Sequence, residues 1–215
     1  MTKTLPLALA GAAALLLALP LTAQTAPKLP GSPDVTAISG GSYTTDSYHT
    51  LVQWSVDHLG FTPYWGLFGD ITGTLELDPK YPAAAKVDMT IPVAKVTTAS
   101  AGLTAHLLKP AAAGGKADFF GADPAPAQFV STKVEPGAGN TAKITGNLTL
   151  NGVTKPVVLE AKFYGAGKGP AMMGGKENVG FTAKGKIMRS EFGVGYGVPM
   201  VSDKVSLKIA AAFVK

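Results

Sequence analysis

Ile144-Thr145-Gly146-Asn147-Leu148-Thr149-Leu150-Asn151-Gly152-Val153-Thr154-Lys155-Pro156-Val157-Val158-Leu159-Glu160-Ala161-Lys162-Phe163 carries the clearest structural signal in the chain. Apolar or small residues take alternate positions on both sides of Asn151-Gly152: Ile144, Gly146, Leu148 and Leu150 before it, Val157, Leu159, Ala161 and Phe163 after it. Successive side chains of a strand point to opposite faces, so each run has one apolar and one polar face. Asn-Gly adopts the positive φ angles of a tight hairpin at little cost. The stretch therefore predicts two antiparallel strands with one shared face buried.

The same alternation recurs on either side. Val52, Trp54, Val56 and His58 share a face against Gln53, Ser55 and Asp57. Ile71, Gly73, Leu75 and Leu77 repeat it, as do Val87, Met89, Ile91 and Val93. Phe181, Ala183, Gly185 and Ile187, then Val205, Leu207, Ile209, Ala211 and Phe213, complete the series. Many half-apolar strands in succession leave a sandwich or a barrel. Gly73, Gly146 and Gly185 on the apolar faces suit strands bending around a closed barrel, or a backbone that a ligand approaches closely. The expectation is a mainly β chain forming a single antiparallel β-barrel with one or two short helices. One helix is predicted over Thr98 to Leu108 with Thr98 as its N-cap. A short helical turn or corner is expected at Asp118-Phe119-Phe120, and a mobile surface loop from Gly165 to Lys176.

Residues 1–23 read as a signal peptide: a basic start at Lys3, an apolar run from Leu5 to Leu21 and a small residue, Ala23, before the cut. Pro6 and Pro20 argue against a retained membrane span. Residues 24–40 are expected to be a disordered leader and 41–215 the folded domain, placed in the periplasm or secreted. The chain has no cysteine, so stability must come from the core rather than from disulfides, and thiol chemistry is excluded. Its net charge of +5 comes from eighteen lysines and one arginine against fourteen acids. The lysines are spread singly and no aromatics interleave with them, which argues for a solvated surface and against a nucleic-acid platform.

No catalytic or metal constellation emerges. His49 and His58 are separated by an odd number of positions, so one uninterrupted strand would project them to opposite faces. His106 has only Gly102 and Pro110 at the positions a helix would bring beside it. There is no Gly-x-Ser-x-Gly elbow, and Gly165-Ala166-Gly167-Lys168-Gly169 lacks the ending of a phosphate loop. Neither an enzyme nor a cofactor is expected. Arg189, the sole arginine, falls by parity on the face of Phe181 and Ile187. A cation at the barrel interior or rim needs a partner, either a carboxylate such as Asp46 or Glu191 or a ligand phosphate or carbonyl. The aromatic residues Trp54, Phe61, Tyr64, Trp65, Phe68, Phe119, Phe120 and Phe192 are core filler or the lining of an apolar tunnel.

Several segments, taken in order, resemble the YceI-like family. They are Asp46, His49-Thr50, Val56, His58 and Gly60; Gly66, Phe68 and Gly69; Thr97-Thr98; His106-Leu107; Asp118-Phe119-Phe120; and Phe129-Val130-Ser131-Thr132. The most specific are Gly146 through Pro156 and Ile187-Met188-Arg189-Ser190-Glu191-Phe192-Gly193. The chain departs from the family pattern at the Ala/Gly insertion Pro110 to Lys116 and at Gly102-Leu103-Thr104-Ala105. The resemblance implies an exported lipocalin-like barrel that binds a polyisoprenoid lipid, such as a prenyl phosphate or a quinone, for carriage or sequestration. On that reading Trp54, Phe68, Phe119, Phe120, Ile187 and Phe192 line the tunnel while His58 and Arg189 serve its polar end. The expected partners are a long-chain isoprenoid lipid and no nucleic acid, with transient membrane contact and a homodimer left open. Two alternatives stay open: a hydrolase or isomerase of a small hydrophobic substrate with His58 as base, and a solid-barrel stress or interaction protein.

Overall fold

The computed structural model describes residues 28–215. The expected signal peptide and its cleavage after Ala23 lie outside the described residues. Among the described residues eleven strands form: β1 (Gly41–Thr45), β2 (Leu51–His58), β3 (Thr62–Phe68), β4 (Thr72–Leu77), β5 (Lys86–Ile91), β6 (Thr97–Thr98), β7 (Ala127–Pro136), β8 (Thr141–Leu150), β9 (Val153–Lys168), β10 (Glu177–Met188) and β11 (Lys204–Val214). Eight of them, in the order β1-β4-β5-β7-β8-β9-β10-β11, close into an antiparallel barrel because β1 pairs with both β4 and β11. Closure removes the free edges that an open sheet would expose.

One edge of β11 is shared between two partners. Its last residues pair with β1, Thr44 opposite Val214, whereas Ser206 to Ala210 pair with Ser55 to Leu51 of β2. Strands β2, β3 and β6 thus branch from the barrel wall. The Asn151-Gly152 hairpin forms as expected: Asn151 and Gly152 have φ of 51° and 76°, and β8 and β9 pair from Leu150 opposite Val153 to Thr141 opposite Lys162.

At Gly146 the glycine makes room for the protein's own side chain rather than for a ligand. A Cβ there would collide with the Phe129 ring, which lies across the strand. Gly66 does the same for the indole of Trp54.

Three local expectations change. The helix α1 is shorter (Ala101–Leu107) and its N-cap is Ser100, whose hydroxyl accepts from the Leu103 amide at 3.2 Å. Thr98 lies in β6 instead and donates its hydroxyl to the Ser100 carbonyl. The Gly-rich segment from Gly165 is strand through Lys168, with Gly165 opposite Gly180 and Lys168 opposite Glu177, so the connection from β9 to β10 is confined to residues 169–176. Residues 31–40, read as leader, dock on the barrel: Ser32 bridges to Ala166 and Ile38 is buried.

Beside that docked segment a polar seam ties Ser39 and the C-terminal Lys215 to the barrel. The Tyr43 hydroxyl donates to Glu177 Oε1 at 2.6 Å, and Lys215 Nζ donates to Ser39 Oγ at 2.8 Å. Burial pushes the Tyr43 hydroxyl pKa up, and the adjoining Glu177 reinforces the shift.

Candidate functional site

The inward faces of the barrel do not fill its interior. A cavity of about 360 Å³ remains, within the size range of small-molecule sites. Its inner wall comes from the alternating positions of the strands, among them Val52, Leu75, Met89, Leu159, Phe163 and Phe181. Its outer part is bordered by the connection around Pro79, Pro82 and Ala85, the β7–β8 hairpin at Pro136 to Thr141, and Val35 and Ile38 of the docked N-terminal segment. At the other end of the barrel Phe129, Val157, Leu159 and Phe192 pack with Ile187, Leu148 and Leu150 into a solid cluster. The cavity is thus open at the β7–β8 hairpin end and blind at the Arg189 end.

Among the described residues no charged side chain lines it, and the polar lining is limited to Thr50, Asn140 and Thr141. Thr50 is already satisfied: its hydroxyl donates to the Ala212 carbonyl at 3.1 Å and accepts from the Ala212 amide at 3.0 Å. Thr141 donates to the Ala138 carbonyl at 2.7 Å. A charged group drawn into this interior would meet no counter-ion, a cost of several kcal/mol. A second, polar cavity of about 620 Å³ adjoins the mouth and shares Ile38, Leu77 and Pro79 with it; Ser39 to Ser42, Glu76, Asp78 and Lys80 form its walls. An apolar blind hole beside a polar vestibule fits an amphipathic molecule, tail inward.

None of the eight residues expected at the ligand borders this cavity. Arg189 is buried at 5% exposure, but its partners are neither a carboxylate nor an open site. Nε donates to the Ser202 carbonyl at 3.0 Å, Nη1 to those of Val194 and Tyr196 at 2.8 Å each, and Nη2 to that of Val201 at 2.8 Å. The guanidinium is therefore engaged in holding the loop between β10 and β11. Burial lowers its pKa from the usual range and nearby Asp203 opposes the shift, yet an arginine stays charged throughout. Asp203 itself accepts from Ser190 Oγ at 2.6 Å and the Ser190 amide at 2.7 Å, which holds its carboxyl below the ordinary value.

The others divide between the blind end and a cluster beside β3. Phe192 and Ile187 belong to the packed plug. His58 is exposed, at the strand end that bridges to Val201. Trp54 lies over Gly66, and its buried Nε1 finds no acceptor among the described residues. Phe68 meets Phe120 edge-on at 6.1 Å, while Phe119, His106 and Tyr196 stack mutually edge-to-face at 5.3 to 5.6 Å. His106 Nε2 lies 2.7 Å from Asp118 Oδ2, fastening α1 to the loop that follows it. These contacts consolidate the fold away from the cavity.

The interior lining was visible in the sequence as the period-two faces, since Val52, Leu75, Met89, Leu159, Phe163 and Phe181 all stand on them. The mouth residues Val35, Pro79, Pro82, Ala85 and Pro136 carried no such signal, because they come from irregular segments that meet only in the fold.

A model of the YceI-like domain matches residues 43–213. This chain belongs to the YceI-like family. The YceI-like protein is 41% identical over 166 residues to Protein YceI of Shigella flexneri, a match covering 77% of this chain and 81% of that one. It superposes on the YCEI protein of Campylobacter jejuni with a TM-score of 0.61 at 32% identity, over 74% of this chain and 89% of the other. A polyisoprenoid binding domain from Saccharophagus degradans, implicated in plant cell wall breakdown, shares the fold with a TM-score of 0.54 at 12% identity, covering 80% and 97% of the two chains.

Proposed function

We propose that this YceI-like protein is an extracytoplasmic, non-enzymatic lipid-binding protein that encloses a polyisoprenoid chain in its barrel for carriage or sequestration. The observation that carries the reading is the apolar, uncharged cavity, blind at one end and opening beside a polar vestibule. Polyisoprenoid binding by a domain of the same fold supports it by analogy of architecture. The tail enters the barrel and the head group, whether prenyl phosphate or quinone-like, stays in the vestibule, where Lys80 lines the same polar hollow as Glu76 and Asp78. At about 360 Å³ the cavity is at the small end of ligand sites, so a long chain fills it with its terminal isoprene units and extends along the vestibule.

The cavity argues against a solid barrel. The exposed position of His58, outside the lining, argues against a base acting on a substrate held there.

The test is extraction of the purified protein with organic solvent, mass spectrometry of the extract, and titration of delipidated protein with an added prenyl quinone and a prenyl phosphate. Recovery or uptake of a prenyl lipid is expected. Repeated recovery of none, together with no uptake of either, overturns the reading.

A further inference from the structure

Lysines that stand far apart in the sequence are gathered by strand register on one outer face. On β10 and β11, Lys184 lies directly opposite Lys208, with Lys186 opposite Ser206 and Lys204 opposite Met188; on β9, Lys162 lies opposite Thr182. All five lysines are exposed. Among them the acid is Glu160, which lies opposite Lys184 and pairs with it at 3.0 Å. Like charges facing each other across a ladder oppose folding; Glu160 offsets Lys184, while Lys208 has no ion pair among the described residues.

The same outer face continues onto the branch strands. Lys208 pairs with Gln53 and Gln53 with Leu67; Ser206 pairs with Ser55 and Ser55 with Trp65; Ala210 pairs with Leu51. Leu51, Trp65 and Leu67 are 37%, 52% and 40% exposed. A basic field therefore borders an exposed strip of one indole and two leucines. Asp57 stands at the far end of that strip, its carboxylate occupied by the Gly60 amide at 2.7 Å.

We propose that this face, Lys162, Lys184, Lys186, Lys204 and Lys208 with Trp65 and its leucine neighbours, docks the protein on the surface of an anionic phospholipid bilayer. Charge complementarity names the partner: ammonium groups are drawn to an anionic headgroup layer, while Trp and Leu side chains settle at its apolar boundary. A single-stranded nucleic acid fits less well, because a stacking platform needs a series of aromatic rings set among the cations, and here the exposed rings are Tyr164, beside Lys162 at the edge of the field, and Trp65, which lies beside aliphatic side chains beyond it. The proposal deepens the carrier reading, which supplies the reason for membrane contact, but its test does not depend on lipid being held in the barrel.

That test is co-flotation of the purified protein with vesicles of phosphatidylcholine alone and of phosphatidylcholine and phosphatidylglycerol in equal parts, over a series of salt concentrations. The variants are Lys186→Gln/Lys208→Gln and Trp65→Ser/Leu67→Ser, each checked by thermal melting and by uptake of prenyl quinone from detergent. The wild type floats with the anionic vesicles and is released by salt. Removing two lysines weakens that partition roughly thirtyfold, removing the Trp-Leu pair weakens it further at high salt, and quinone uptake is unchanged in both. Equal partition to the two kinds of vesicle, unchanged partition of the lysine variant, or retention on an oligonucleotide with no flotation overturns the docking proposal. Flotation without quinone uptake by the wild type counts against the carrier reading alone.

Discussion

Replacing Ala183 by Phe should close the cavity from its blind end. Ala183 lies on the inward face of β10, borders the cavity and packs against the cluster that contains Phe192. A ring placed there takes up wall area that a bound chain would otherwise cover. An aromatic side chain buries roughly 150–250 Å²; at about 25 cal/mol per Å² the ligand loses about 4–6 kcal/mol of hydrophobic contact. That corresponds to at least about a thousandfold weaker binding. The fold should tolerate the change, since the ring fills existing space instead of displacing neighbours, and overpacking costs are about 1–3 kcal/mol at most sites. Titration of delipidated wild type and variant with prenyl quinone, alongside urea denaturation of both, measures the two quantities separately. Unchanged affinity in a variant of wild-type stability would refute the placement of the chain in this half of the barrel.

The remaining predictions separate the plug from the cavity. Arg189→Met leaves the carbonyls of Val194, Tyr196, Val201 and Ser202 without their donor and should lower stability by about 3 kcal/mol or more, read as a shift in the urea midpoint, while a variant that still folds keeps its lipid affinity. Gly146→Ala places a methyl against the Phe129 ring and the Val130 carbonyl and should destabilise by about 1–3 kcal/mol on the same assay. Asp203 has a depressed carboxyl pKa in the folded state because Ser190 donates two hydrogen bonds to it. Its contribution to stability is therefore present above the ordinary value of 3.8 and is lost as pH falls through the depressed one. Asp203→Asn should flatten that part of the acid limb in stability measured against pH, and an unchanged slope would show that the Ser190 contacts do not persist in solution.

Most of the barrel wall was legible because strand alternation is a local property. Phe181, Ala183 and Gly185 face inward for the same geometric reason whether or not their neighbours are known. Strands that lacked this pattern were harder to see. In β7 a register shift between Ser131 and Lys133 interrupts the alternation, and β3 carries apolar side chains on both faces, Tyr64 with Gly66 on one and Trp65 with Leu67 on the other. Thr98 was a reasonable N-cap by residue type, but its pairing in β6 moved the helix start to Ser100.

The site was harder to read than the wall. Aromatic residues and the sole arginine drew attention to the Arg189 end, where the side chains satisfy one another: four carbonyls surround the guanidinium, and Phe192 and Ile187 complete a plug. By itself the amino-acid order determined which side chains face inward, because that depends on the two-residue repeat of each strand. Only the closed tertiary structure decided which end stays hollow, that Val35, Pro82 and Pro136 meet at the mouth, and that five scattered lysines share one face. Those outcomes depend on the register between strands distant in sequence, which no local pattern contains.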